Sequence, residues 1–154
     1  MILEYYCLPH CEHKPVRANP SDAGLDLRFN PVDCLRQPVY ISPGESLVLS
    51  TGLKFGISHG YMLQIMNRSG NAAKKRLIVG ACVVDSGYDG EVFVNLHNIG
   101  AEEHMIRPGM KIAQAVLIPI VPVRLREIEE DNLYGRDPIT ISNRGDGSLG
   151  STGD

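Results

Sequence analysis

An all-β domain is the fold class this sequence predicts, on three observations. Sixteen glycines and ten prolines are spread along 154 residues, between apolar runs too short for anything but strands and turns. Two stretches, Ala23–Arg28 and Ser46–Ile57, alternate apolar with polar residues as half-buried strands do. The centre of the chain, residues 76–99, sets Ile78, Val79, Val83 and Val84 before Asp85-Ser86-Gly87-Tyr88-Asp89-Gly90, and Val92, Phe93, Val94 and Leu96 after it. That is the composition of two strands around the turn of a hairpin.

The remaining elements follow in order. Residues 1–8 read as a first strand. Residues 9–23 read as a loop, with Pro9, Pro15, Pro20 and the turn pair Ser21-Asp22. Ala23–Arg28 is the second strand. Pro31–Ser42 reads as a loop ending in Ser42-Pro43-Gly44. Ser46–Ile57 is strand on both sides of a break at Gly52, and Tyr61–Met66 is another short strand. Asn67–Asn71 interrupts, and Ala72–Lys75 suits one helical turn. Ile99–Met105 reads as a polar loop before the turn at Arg107-Pro108-Gly109. Lys111–Val123 makes one long strand or two short ones. Arg124–Asn132 is acidic and reads as a last strand or a surface turn. The hydrophobic pattern stops at Tyr134, so a β domain is expected over 1–133 and an arm over 134–154. The final stretch, 143–154, is almost entirely Gly, Ser, Thr, Asp and Arg, too polar to order itself by burial.

A chain of this length can bury about 68–70% of its unfolded surface and needs no covalent staples. The net charge of −3 disfavours binding to a nucleic-acid backbone. It leaves room for a small anion held by a local cluster. Cys7, Cys11, Cys34 and Cys82 do not form a disulfide framework. Cys7, His10, Cys11 and His13 have the residue types of a zinc site, but the Cys-x3-Cys spacing lacks a second ligand pair. The start has neither a basic nor an apolar leader region. The most apolar stretch, Ala115–Val123, is too short to span a bilayer. A soluble, cytoplasmic protein that engages neither nucleic acid nor membrane is expected.

Several residues carry chemistry. Asp85 is a carboxylate at a strand end, where it can be aimed rigidly. Tyr88 sits on the same turn. Arg68-Ser69-Gly70 offers a guanidinium and a hydroxyl at another strand end. Gln114 lies inside an apolar strand. In the tail, Arg144 can grip phosphate oxygens in pairs, and the glycines around Ser151 and Thr152 let backbone N–H groups converge on an anion. The tail lacks the Gly-Lys-Ser/Thr ending of a P-loop. Together these make a polyphosphate cradle with one general base and no nucleophile–base pair.

Five segments in this order carry a resemblance: Ala-Gly-Leu-Asp-Leu (23–27), Arg-Ser-Gly-Asn-Ala-Ala-Lys (68–74), Gly-Ala-Cys-Val-Val-Asp-Ser-Gly-Tyr-Asp-Gly-Glu (80–91), Pro-Gly-Met-Lys-Ile-Ala-Gln (108–114) and Arg-Gly-Asp-Gly-Ser-Leu-Gly-Ser-Thr-Gly (144–153). On them the chain resembles the trimeric dUTP pyrophosphatase (dUTPase) family. The resemblance implies a jelly-roll-like β-clip fold, a homotrimer with active sites at subunit interfaces, and a C-terminal arm that closes over a neighbour's site. It implies Mg²⁺-dependent hydrolysis of dUTP to dUMP and pyrophosphate, which keeps uracil out of DNA and supplies dUMP for thymidylate synthesis. Asp85 would then activate the attacking water, a role worth roughly 10²–10⁴-fold. Gln114 would lie near that water and the phosphates. Arg68, Ser69 and Gly70 would bind phosphates, and Tyr88 would pack on the deoxyribose. The backbone at Val79, Gly80, Cys82 and Val84 would read uracil. Arg144, Gly150, Ser151 and Thr152 would close on the triphosphate tail. Asp26 would touch the metal at most through water.

The chain departs from the family pattern at several of these positions. Leu149 stands where an aromatic usually stacks on the base, an interaction worth about 1–3 kcal/mol. Gly87 and Asp89 replace an acidic and a basic neighbour of Tyr88. Cys82 replaces a glycine, and Met110 replaces an Asp. These changes point at base preference more than at reaction type. Three alternatives follow: a pyrophosphatase acting on dCTP or another deoxynucleotide, a non-catalytic nucleotide-binding regulator, and a dCTP deaminase. The last needs a Glu proton shuttle where this chain has Asn95.

Overall fold

The computed structural model describes residues 1–33 and 36–135. The chain divides into two compact units, Met1–Pro122 and Val123–Asp154. In chain order the strands are β1 (Glu4–Cys7), β2 (Leu25–Arg28), β3 (Val39–Ile41), β4 (Ser46–Ser50), β5 (Leu53–Gly56), β6 (Tyr61–Met66), β7 (Leu77–Val79), β8 (Val83–Asp85), β9 (Phe93–Asn98), β10 (His104–Ile106) and β11 (Lys111–Pro119). A single α-helix among the described residues, α1 (Ser69–Lys75), joins β6 to β7.

The first unit is all-β and jelly-roll-like. A four-stranded sheet has the order β2-β11-β6-β8, and a three-stranded sheet the order β4-β9-β7. Two strand pairs, β1–β5 and β3–β10, complete it, and every pairing is antiparallel. Alternation sorts the side chains. Leu63 and Ile65 of β6, Leu27 of β2, and Val94 and Leu96 of β9 point inward, and all belong to one buried core with Leu49, Leu53, Leu77 and Ile106. The alternation breaks at β11, where Ile112 and Ala113 are both buried. A register shift between Lys111 and Ala113 opposite β2 explains it: one extra residue bulges. Such a bulge re-aims a side chain, and here it turns Lys111 toward Asp26 of β2.

Most expected elements are present, and the differences have physical reasons. The break at Gly52 falls between β4 and β5, with φ +68°, and an added Cβ there would lie 2.6 Å from Cys11 Cβ. The helix begins earlier than expected, at Ser69. It has no side-chain cap, and Asn71 holds it instead by donating to the carbonyls of Lys111 and Ile112. β3 and β10 lie where loops were expected. Each has three residues, too few to show alternation, and each exists by pairing with the other across more than sixty residues.

The central stretch is not a hairpin. β8 pairs with β6, whereas β7 and β9 pair with each other in the other sheet. The turn accounts for this. Tyr88 N donates to Asp85 O (3.2 Å), and Gly87, third in the turn, carries the positive φ (+88°) while Ser86 does not. That is the pattern of a type II turn, which splays the flanking strands instead of pairing them. Residues 85–92 therefore form an arch from one sheet to the other. In Val123–Gly135, the described part of the second unit, Leu125 and Leu133 are exposed and Glu130–Asn132 makes one 3₁₀ turn. No helix among the described residues is long and apolar enough to cross a membrane.

Candidate active site

Asp85 closes β8, and its carboxylate is exposed at the start of the arch. With Tyr88 and the chain from Ala81 to Val84 it lines a cavity of about 220 Å³, floored by Ile65 and Val92 and closed on one side by Glu91. β8 is the edge of its sheet, so it pairs with β6 on one side only. The N–H and C=O groups on its other side face outward, as on any edge strand. The cavity thus combines a carboxylate, an aromatic ring and the free edge of a strand, where the backbone groups of Val83 face outward while the Cys82 carbonyl accepts from the Ile65 N–H of β6. Of the residues expected to read a base, Cys82 and Val84 line it. Val79 and Gly80 lie just upstream and do not.

Tyr88 is 47% exposed, so burial does not fix its ring. Its hydroxyl donates to the Glu91 carbonyl at 2.9 Å. The ring lies over Gly90, where an added Cβ would come within 2.4 Å of ring and hydroxyl atoms.

The second group of expected residues gathers where β2, β6 and β11 meet. Gln114 pairs with Asp26 on one side and Met66 on the other. Its Nε2 donates to the Asn67 carbonyl at 2.8 Å. The Asn67 side chain in turn accepts the Val79 N–H at 2.6 Å. Gly24 makes room: a Cβ there would sit 2.3 Å from Gln114 Oε1. Arg68 Nε reaches Asp26 Oδ1 at 2.8 Å, and Lys111 Nζ reaches Oδ2 at 2.6 Å. Burial raises the Asp26 carboxyl, but hydrogen bonds and charge from Lys111 and Arg68 outweigh it and leave its pKa below the usual value. Asp26 therefore anchors two cations, and among the described residues nothing takes the terminal nitrogens of Arg68. Ser69 and Gly70, exposed at the start of α1, lie beside them.

The two groups do not converge within one chain. Asp85 faces Met62 and Gln114 faces Met66, on opposite edges of β6. Four residues along a strand and two inter-strand steps separate them by roughly 16 Å.

Sequence patterns passed over three contributors. Asn67 reads only as a strand breaker, Lys111 only as the start of a strand, and Glu91 as the end of a turn motif. Glu91 is held by Ser50 Oγ (2.5 Å), Gly52 N (2.7 Å) and His10 Nε2 (3.3 Å), all on Oε1. The polar spacing of Asn67 just before Arg68-Ser69-Gly70 was the available clue to the first. Arg144, Leu149, Gly150, Ser151 and Thr152 lie outside the described residues, as does Cys34.

Among the described residues no group of three or more His, Cys, Asp or Glu side chains is placed to hold a metal. His10 is engaged with Ser50 and Glu91, and His13 lies against Gly109. Both Asp26 oxygens already face cations. This donor set does not suit a resident ion caged by side chains.

Known proteins resemble this chain over nearly its whole length. The dUTPase family model matches residues 12–153. A deoxyuridine 5'-triphosphate nucleotidohydrolase of Neisseria meningitidis serogroup A is 37% identical over 142 residues, covering 90% of this chain and 87% of that one. The protein of the same name from Chlamydia trachomatis serovar L2 is 34% identical over 155 residues, covering 99% of both. Among solved structures, a mutant dUTPase of Staphylococcus bacteriophage 80alpha with dUpNHpp superposes with a TM-score of 0.79 at 26% identity, over 99% of each chain.

Proposed function

The chain belongs to the dUTPase family, and from that premise we propose that it hydrolyses Mg²⁺-bound dUTP to dUMP and pyrophosphate at sites shared between the subunits of a homotrimer. The observation that carries the shared site is the separation of Asp85 from Gln114 and Arg68 within one chain. A second copy, presenting its Arg68, Ser69 and Gln114 to the first copy's Asp85, supplies the missing half. Such a head-to-tail contact closes into a ring when repeated by rotation.

Uracil enters the 220 Å³ cavity lined by Cys82 and Val84 and is read by backbone groups along the free edge of β8, where the Val83 N–H and C=O face outward, with Val79 and Gly80 upstream. A backbone reading edge of fixed length leaves little room for a purine. Tyr88 packs on the deoxyribose and occupies the space a 2′-hydroxyl needs. Arg68, Ser69, Gly70 and Gln114 take phosphate oxygens, with Arg68 braced by Asp26. Asp85 accepts the proton of a water lined up behind the α-phosphorus. The P–O bond to the β-phosphate breaks as the new one forms, and pyrophosphate leaves. The metal ion belongs to the substrate and neutralises its phosphate charge. Arg144, Gly150, Ser151 and Thr152 close on the triphosphate tail, and Leu149 covers the base.

The test is pyrophosphate release with Mg²⁺ from dUTP, dCTP, dTTP, dATP, dGTP and UTP in parallel. Release from dUTP alone is expected. Release from a different deoxynucleotide overturns the uracil assignment and keeps the chemistry. No release from any nucleotide overturns the reaction.

A further inference from the structure

The Glu91 side chain is 11% exposed, although it belongs to a surface arch. One of its oxygens, Oε1, accepts from three segments distant in sequence. Ser50 Oγ–H donates at the end of β4, the Gly52 N–H just beyond it, and His10 Nε2 comes from the turn after β1. His10 Nε2 also lies 3.0 Å from Ser50 Oγ, so the imidazole N–H, the serine hydroxyl and the carboxylate form a chain of donors ending on Oε1. The turn that carries His10 is itself fixed. Leu8 N donates to Gly52 O and Cys11 N to Leu8 O, both at 2.9 Å. Glu91 is thereby bolted to the body of the first unit. Its own carbonyl holds the Tyr88 hydroxyl.

We propose that Glu91 is the positioning residue for Tyr88, and that the Ser50–Gly52–His10 clamp on its carboxylate sets how sharply the site refuses a ribose 2′-hydroxyl. This rests on the assignment of Tyr88 to the sugar. The physical need is plain. Deoxyribose and ribose differ by one oxygen, and a ring rejects that oxygen only if it cannot yield by a few tenths of an ångström. A half-exposed tyrosine on a glycine-rich turn has no packing to resist that push. Its hydroxyl bond to Glu91 and its seat on Gly90 are what hold it, and Glu91 resists only because its side chain is pinned elsewhere. The arrangement is not a hydrolytic triad. The serine hydroxyl donates directly to the carboxylate and is not activated by the imidazole.

The experiment measures kcat/KM for dUTP and for UTP, with binding of non-hydrolysable analogues of both by calorimetry, in the full-length protein. Glu91→Ala is expected to cut the dUTP-to-UTP selectivity by about tenfold, mostly by admitting UTP. Glu91→Gln keeps an acceptor for Ser50 and Gly52 and is expected to restore most of that selectivity. Tyr88→Phe removes only the hydroxyl bond to Glu91, and a similar selectivity loss is expected. It carries the test if Glu91→Ala fails to fold. A purely structural role for Glu91 would lower both nucleotides in proportion. Unchanged selectivity in Tyr88→Phe, or a proportional loss in Glu91→Ala, overturns the inference and leaves the proposed reaction standing. An unmodified protein with no preference for dUTP over UTP overturns the sugar assignment itself.

Discussion

Asp85 and Gln114 sit on opposite edges and opposite ends of one strand, facing Met62 and Met66 of β6. A rigid sheet cannot bring them together. If both serve one reaction, they serve it from different copies of the chain.

Subunit mixing tests this. Asp85→Asn and Gln114→Ala are each expected to lose roughly 10²-fold or more of turnover, the scale of a lost base or a misplaced water. Dissociated, mixed in equal amounts and reassembled, they are expected to recover about one quarter of wild-type activity, since a quarter of shared sites pair two intact halves. Recovery of nothing, with mixed trimers present by mass spectrometry, places both residues in one chain's site.

Asp26 predicts an acid limb of stability. Lys111 and Arg68 hold its pKa below the ordinary value near 3.8. A depressed carboxyl stabilises the fold fully above its unfolded pKa and stops doing so as pH falls through the folded one. Asp26→Asn removes charge-assisted hydrogen bonds and is expected to cost about 2 kcal/mol at neutral pH. The gap between the variant and wild type closes as pH falls through and below the ordinary carboxylate range. Thermal unfolding across that range measures it, and a gap constant with pH would refute the charge argument.

These two sites show what the sequence can carry. Asp85, Tyr88 and Gln114 stand out as candidates because strand ends, turn residues and a polar residue in an apolar run are local features. The all-β class was legible for the same reason. The links between them were not. Asn67 earns its place by accepting from Val79, twelve residues on, and Glu91 by accepting from Ser50 and His10, both far upstream. The expected hairpin failed on one backbone angle: Ser86 lacks the positive φ that a paired two-residue hairpin turn needs at its second position, and Gly87 alone carries it, a difference composition does not reveal. β3 and β10 were invisible because three residues are too few to show alternation and each strand pairs only with the other.

Cys11 is expected to resist alkylation. Burial, and then the neighbouring Cys7 thiol, push its pKa up to about 12. Raising a thiol that far from 9.0 cuts its thiolate fraction about a thousandfold near neutrality. In pulsed labelling with iodoacetamide near pH 8, peptide mass spectrometry is expected to find Cys82 modified well before Cys11. Equal labelling of Cys82 and Cys11 in the folded protein would refute this microenvironment.

Gly24→Ala separates positioning from folding. The new Cβ would lie 2.3 Å from Gln114 Oε1 and 3.1 Å from its Cβ. The amide is the end of a flexible side chain, so it can swing aside, and the backbone pairing of Gln114 with Asp26 and Met66 can stay. What it gives up is the bond from Nε2 to the Asn67 carbonyl. That bond holds the amide at the spot where Asn67 also receives Val79, the upstream end of the base-reading segment. A displacement of about 1 Å at a reacting group costs on the order of 10²-fold in rate. Turnover of dUTP is therefore expected to fall by that order, with the melting temperature within a few degrees of wild type. If turnover and stability fall together, the glycine serves the packing of β2 on β11. If neither moves, Gln114 is not held by Asn67 during the reaction.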